Sequence, residues 1–305
     1  MAVALSARKR RPQRQLLNKA LVTLVSVAIV GIFFFPIFFW ILSSFKPFPL
    51  IFELPPVIFF KPILTWYQVV LGGADSTQIE LQQHGGVGTG GGSYYSIPFL
   101  INSATIAIGS TLIVVVVASL AAYALSRFGM RRKNDFVFWI VSTRMMPAAA
   151  AALPFFLMYR TLGLIDTFAG IILAHAVMNL PLAILLMRSF FDEVPHELDE
   201  AAMVDGTTRF GAFRKIILHY VWPGIAAAAI LCFIFSWNEF LLTLTLTKTA
   251  VRTLPVAAST FDSQQGTEWG MLAALGTTAM VPVFIFVLFV QRNLVRGLTM
   301  GAIKG

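Results

Sequence analysis

Long apolar runs divided by short polar stretches organise this chain. Crossing about 30 Å of hydrocarbon at a helical rise of about 1.5 Å per residue takes roughly 20 apolar residues. Six runs meet that length, at 20–42, 99–125, 136–158, 168–187, 223–246 and 271–290. They predict an all-α membrane protein with six transmembrane helices. The basic stretch RKRRPQRQLLNK ahead of the first run has the charge of a secretory signal. The run that follows it is longer than a signal-peptide core, so it is expected to remain as the first span.

The polar stretches orient these spans. Lys and Arg gather in the N-terminal stretch, in RFGMRRK after the second run, in FGAFRK after the fourth and in QRNLVRG after the sixth. The positive-inside rule assigns all four to the cytoplasm, and an even number of spans then places both termini there. The expected organisation is a basic segment 1–19, a single six-helix domain 20–290 and a cytoplasmic tail 291–305. The domain carries an outer loop 43–98 and a cytoplasmic loop 191–222. The first half of the outer loop, KPFPLIFELPPVIFFKP, is Pro-rich and apolar and suits extended structure on a membrane or partner surface. Its GGVGTGGGS lacks the strand, the helix and the Gly-Lys-Ser/Thr ending of a phosphate loop and reads as a flexible linker.

Composition agrees with lipid as part of the solvent. With 57% hydrophobic and 12% charged residues, the chain has too few charges to cover a soluble surface. A net charge of +9 would suit nucleic acid, but the basic residues sit in short runs between apolar segments, so no nucleic-acid partner is expected. Cys232 is the one cysteine, which excludes an internal disulfide and suits a small packed hydrophobe.

One polar island interrupts the pattern between the fourth and fifth runs: PHELDEAAMVDGTTRFGAFRKI, residues 195–216. Pro195 opens a helix whose acidic first turns suit the positive end of its dipole. Gly206 permits a sharp turn, and TTRFGAFRKIIL begins a second helix running into the membrane. A cytoplasmic helix-turn-helix of this kind suits docking onto a soluble partner. An amphipathic helix lying on the bilayer surface fits the same residues.

Polar residues within the runs are the remaining candidates. Arg144 falls near mid-bilayer, where an arginine costs about 2.5–3.5 kcal/mol and is expected to face protein or water. Pro147 just after it breaks the backbone ladder in a way tolerated beside a cavity or neighbouring helix. Glu239 lies in the outer half of the fifth run and His175 in the outer half of the fourth. Arg144, Asn179, Asn238 and Glu239 offer the donors and acceptors that sugar hydroxyls need, and Trp237 an apolar face for a sugar ring. The alternatives are an Arg144–Glu239 ion pair, or separate pairings of each to another subunit, that fix helix packing, Trp237 as an interfacial anchor, and His175 bonded to a neighbouring carbonyl.

Glu200-Ala201-Ala202, then Asp205-Gly206, then Ile216 and Leu218, resemble the EAA loop of ATP-binding cassette importer permeases. NLPLAILLMRSFF from Asn179, SWNEFLLTLTLT from Ser236 and the ending VQRNLVRGLTMGAIKG are similar to the carbohydrate branch, whose type case is the smaller maltose permease subunit. The resemblance covers nearly the whole chain from Leu21. Two features depart from it: His219 stands where the family has proline after Ile-x-Leu, with the proline at Pro223, and the outer loop is longer around 72–95.

That resemblance implies a coupling role for the island. Glu200 would meet a basic group of a separate ATPase, Ala201 and Ala202 would allow close packing, Gly206 would make the turn, and Asp205 belongs to the same coupling set. Gly301, Lys304 and Gly305 of the tail would reach the ATPase interface. The implied partners are a second permease subunit, two ATPase subunits, an extracytoplasmic solute-binding protein, a carbohydrate or polyol, and the lipid bilayer of a bacterial-type cytoplasmic membrane. No cofactor is expected on this chain; ATP and magnesium belong to the partner ATPase, because no Gly-x-x-x-x-Gly-Lys-Ser/Thr sequence is present. Such a chain is a transport subunit and not an enzyme, and the scattered His84, His175, His196 and His219 form no metal-binding or nucleophile-base spacing. A proton-coupled secondary transporter using Glu239 and His175, or a structural membrane subunit, are the competing readings.

Overall fold

The computed structural model describes residues 2–72, 95–263, 266–267 and 269–301. Among them, most residues lie in helices, which pair their own backbone groups as a hydrocarbon solvent demands. The chain divides into two compact units, residues 1–91 with 268–277, and residues 92–267 with 278–305.

In the first unit, α1 (Ala2–Ser43) contains an apolar stretch, Asn18–Ser43, about 39 Å long by helical rise. Its large side chains are exposed, Phe33 by 74%, so they require lipid or another chain as their solvent. Two short helices follow, α2 (Phe48–Ile51) and α3 (Thr65–Gly72). The Trp66 indole donates to the Lys46 carbonyl at 2.7 Å, and Gly270 leaves room for its ring, since a Cβ there would lie 2.7 Å from Trp66 Cδ2. Lys46 is fully buried with its ammonium 4.7 Å from the Phe39 ring centre; burial lowers its pKa from the ordinary lysine value.

The second unit is built on α4 (Ile97–Arg127). Then come α5 (Lys133–Arg144), α6 (Ala148–Thr161) and α7 (Phe168–Glu193). Beyond α7 the chain forms α8 (Glu197–Val204) and α9 (Arg209–Ala212), which passes through a π-helical turn, Phe213–Ile217, into α10 (Leu218–Tyr220). It continues as α11 (Trp222–Trp237), α12 (Leu241–Leu246) and α13 (Leu254–Ala258), and a pair of two-residue antiparallel strands precedes α14 (Trp269–Gly301). α4, α7 and α11 form the core, where Ala118, Ala122, Ala183 and Ala228 let backbones approach around Val114, Met187, Ile225 and Cys232. Small residues serve this role in a membrane because lipid gives no hydrophobic push between helices.

The second and fourth predicted spans appear as α4 and α7, within a few residues of their expected starts and somewhat longer at their ends. The third and fifth do not form single straight helices. Arg144 ends α5, Pro147 precedes α6 and the two helices bend by 93°; Pro147 has no N–H to continue the ladder. α11 stops at Trp237 and α12 begins at Leu241, so the fifth run is broken at Asn238–Phe240. The helix after the polar island also does not run straight on: Arg209–Tyr220 and Trp222–Trp237 bend by 78° at Val221. Among the described residues four helices can cross a membrane by length and composition, or up to six if each bent pair is one span.

Candidate functional site

The polar island forms the predicted helix, turn and helix. α8 starts with Glu197, Asp199 and Glu200 in its first turn, where the helix dipole favours negative charge. It ends at Gly206, whose φ of +84° a side chain would strain. Thr207 Oγ1 donates to the Ala202 carbonyl at 2.6 Å, and the Thr208 hydroxyl accepts from the Gly211 N–H at 3.1 Å to cap α9.

α8 has two faces. Asp199 and Ala202 point inward and are buried, whereas Glu200, Ala201, Asp205 and Gly206 lie exposed together beside Val204, which is 87% exposed. Four of the five residues expected at a partner surface therefore share one outward face, and Ala202 packs into the chain instead. The inward face holds an ionic cluster. The Arg127 Nε–Asp199 Oδ2 distance is 2.7 Å, Tyr123 O–H donates to Asp199 Oδ1 at 2.8 Å, and Arg127 Nη2 donates to the Val194 carbonyl at 2.9 Å. Tyr123 and Phe213 pack over it with ring centres 4.8 Å apart. Sequence reasoning did not single out Asp199, Arg127 or Tyr123. The available signal was helical spacing, because adjacent residues lie about 100° apart and Asp199 faces away from Glu200.

The residues expected along a solute path separate into two environments. Arg144 is exposed at the end of α5 and lines a cavity of about 630 Å³ with Trp139, Thr143, Phe155, Met178 and Pro181. Its Nη1 donates to the Met178 carbonyl at 2.8 Å, and its guanidinium sits 5.3 Å from the Phe235 ring centre. Asn179 is buried, with Nδ2 3.5 Å from the Cys232 carbonyl, and Trp237 is buried against Phe233. Asn238 is exposed, and its Nδ2 donates to the Ile234 carbonyl at 2.8 Å, closing the end of α11.

Glu239 forms no ion pair with Arg144 among the described residues. Its carboxylate caps α12, accepting from the Leu242 N–H at 2.8 Å, the Thr243 N–H at 2.9 Å and the Thr243 hydroxyl at 2.8 Å. His175 Nε2 lies 3.4 Å from the same carboxylate and 3.0 Å from Thr243 Oγ1, while Nδ1 lies 2.7 Å from Ser236 Oγ. The fold thus joins the half-buried Glu239 and the buried His175 in one polar network and leaves Arg144 in the cavity. The network satisfies its own members, as polar groups without water must.

Past the far end of α6, another carboxylate organises a loop. Asp166 accepts from the N–H groups of Lys248, Thr249, Ala250 and Val251 at 3.0–3.2 Å. Burial works against its charge, but the four donors outweigh burial and lower its pKa to about 2. A depressed carboxylate contributes stability that is complete above its unfolded pKa and is lost as pH falls through its folded one, here between about pH 4 and pH 2. Asp166→Asn is expected to speed amide hydrogen exchange at 248–251 about tenfold at neutral pH, since one charged acceptor carries four donors. Unchanged exchange would show that the loop holds itself.

Gly301 is the last residue of α14, and Lys304 and Gly305 lie outside the described residues. Among the described residues no three His, Cys, Asp or Glu side chains are grouped to hold a metal ion.

Residues 114–300 match the family described as "Binding-protein-dependent transport system inner membrane component". The trehalose transport system permease protein SugB of Mycobacterium tuberculosis is 43% identical over 209 residues, spanning 68% of this chain and 76% of that protein. The sulfoquinovosyl glycerol transport system permease protein SmoH of Agrobacterium fabrum is 36% identical over 208 residues, 68% of this chain and 73% of its own length. The fold is shared with a chain from the crystal structure of a bacterial ABC transporter involved in import of the acidic polysaccharide alginate, at a TM-score of 0.68 and 20% identity, covering 89% of this chain and 96% of that one.

Proposed function

The chain belongs to the family of binding-protein-dependent transport system inner membrane components, and from that premise we propose that it forms half the path of an ATP-driven carbohydrate or polyol importer and couples to the ATPase through α8. One observation carries this reading: α8 and the turn after it expose Glu200, Ala201, Asp205 and Gly206 together within the polar island, inside the region matched to the family. Relatives named for trehalose and sulfoquinovosyl glycerol support a sugar or related solute.

The roles follow from physical chemistry. An exposed glutamate beside a small alanine allows close approach and one charge-assisted contact with a basic group of the ATPase. ATP, held with magnesium on that partner, shifts the permease between conformations only through its different affinity for them. A second permease subunit supplies the other half of the path, and a solute-binding protein delivers solute outside the cytoplasmic membrane. With both termini cytoplasmic, α8 faces the ATPase and the Asp166 loop faces the binding protein. The Arg144 cavity is the path segment, its guanidinium offering donors to solute oxygens.

Two measurements test this. Tagged chain purified from its native membrane is expected to bring an ATPase, a second permease and a solute-binding protein; recovery alone, with those partners expressed, would sink the reading. Arg144→Ala is expected to lower uptake about tenfold, the loss of one hydrogen bond from a charged group, with the ATPase still bound. Normal uptake would make Arg144 a packing residue.

A further inference from the structure

We infer that Asp199, Arg127 and Tyr123 form the stiff joint through which α8 moves α4, the second span; this rests on the docking role proposed for α8.

The chain leaves α8 in two directions, and neither carries force stiffly to α4. Toward the fifth span it passes Gly206, a π-helical turn and the 78° bend at Val221. Toward the fourth span it passes the non-helical Val194–Pro195 link. α4 is remote in sequence, so α8 reaches it only through space. It does so from the inward face, one residue from Glu200, through the 2.7 Å Asp199–Arg127 ion pair and the 2.8 Å Tyr123 hydrogen bond. Arg127 also holds the Val194 carbonyl at the end of α7, so one guanidinium ties α8 and two span ends together. Apolar contacts slide, whereas a buried charge held by a close ion pair and one directional hydrogen bond loses both when displaced.

Stability alone explains this cluster poorly. A buried ion pair is weak evidence for stability, since desolvation offsets much of the attraction, and an apolar trio of similar volume would pack as well. A fixed register between a docking helix and a span is what the close ion pair and the Tyr123 hydrogen bond add.

The test uses the complete importer in proteoliposomes, with ATP hydrolysed per solute imported as the readout. Asp199→Asn is expected to raise that ratio about tenfold, within the usual range of coupling energies, while the ATPase still co-purifies. Tyr123→Phe removes one bond and is expected to raise it about threefold with assembly intact. A parental ratio in both variants overturns the joint, as does a parental ratio in Tyr123→Phe with Asp199→Asn unassembled. Glu200→Arg, measured in parallel, separates this from the docking reading. If Glu200→Arg keeps its ATPase and its uptake, docking through α8 fails. If Glu200→Arg loses its ATPase while the Asp199 and Tyr123 variants stay parental, only the joint fails.

Discussion

Glu200→Arg is expected to lower uptake about 100-fold and to weaken retention of the ATPase, while the chain still inserts and still pairs with its second permease. The carboxylate lies exposed on the outward face of α8 and forms no ion pair among the described residues. A hydrogen bond to a charged group is worth about 1.5–3 kcal/mol, and reversal replaces it with repulsion, so a loss of about 2.7 kcal/mol, or 100-fold, is reasonable. Within the chain the cost is small. An arginine in the first turn opposes the helix dipole by about 0.3–1 kcal/mol, too little to unfold a unit whose core lies elsewhere. Glu197→Arg is the control, because Glu197 is exposed in the same turn and carries the same dipole penalty. Uptake reduced equally in both variants would trace the effect to helix charge, and normal uptake in Glu200→Arg would remove α8 from coupling.

The long uniform features of this fold were legible in the sequence. α4 and α7 are unbroken apolar runs with polar boundaries, and hydropathy needs nothing more to place them. The island was equally legible, because an acidic first turn and a glycine turn act over a few residues. Broken helices were not. Pro147 was visible as a break, but a count of apolar residues carries no bend angle, and the interruption at Asn238–Phe240 contains neither glycine nor proline. Glu239 shows why: along the chain it reads as an unpaired charge in a membrane, while in the fold it caps the helix beginning two residues later. Asn179 and Trp237 were polar or amphipathic groups whose burial only helix packing could decide. Asp166 and Asp199 bind groups dozens of residues away, so their weight depends on contacts that no local pattern encodes.

Gly224→Leu is expected to leave no folded importer, a larger effect than any change at an exposed position. Gly224 sits just past the bend at Val221, where that bend swings the start of α11 against the end of α7. A Cβ there would lie 2.8 Å from Phe190 Cβ and nearer still to its ring. The ring can rotate away, but Phe190 Cβ is fixed to the α7 backbone, so the helices themselves must separate. Overpacking of this kind costs about 1–3 kcal/mol for a small addition. Gly224→Ala should therefore lower the melting temperature by roughly 2–12 °C, at about 2–4 °C per kcal/mol for a unit of this size. Leucine adds three more carbons with nowhere to go, in a core already closed by Ala226, Ala227 and Ala228. Pairing Gly224→Ala with Phe190→Leu should recover part of the loss, because residues in contact do not add independently. A Gly224→Leu chain with parental melting and uptake would refute the close approach of α7 and α11. The path from the coupling helix into the fifth span would then have to run through a different contact.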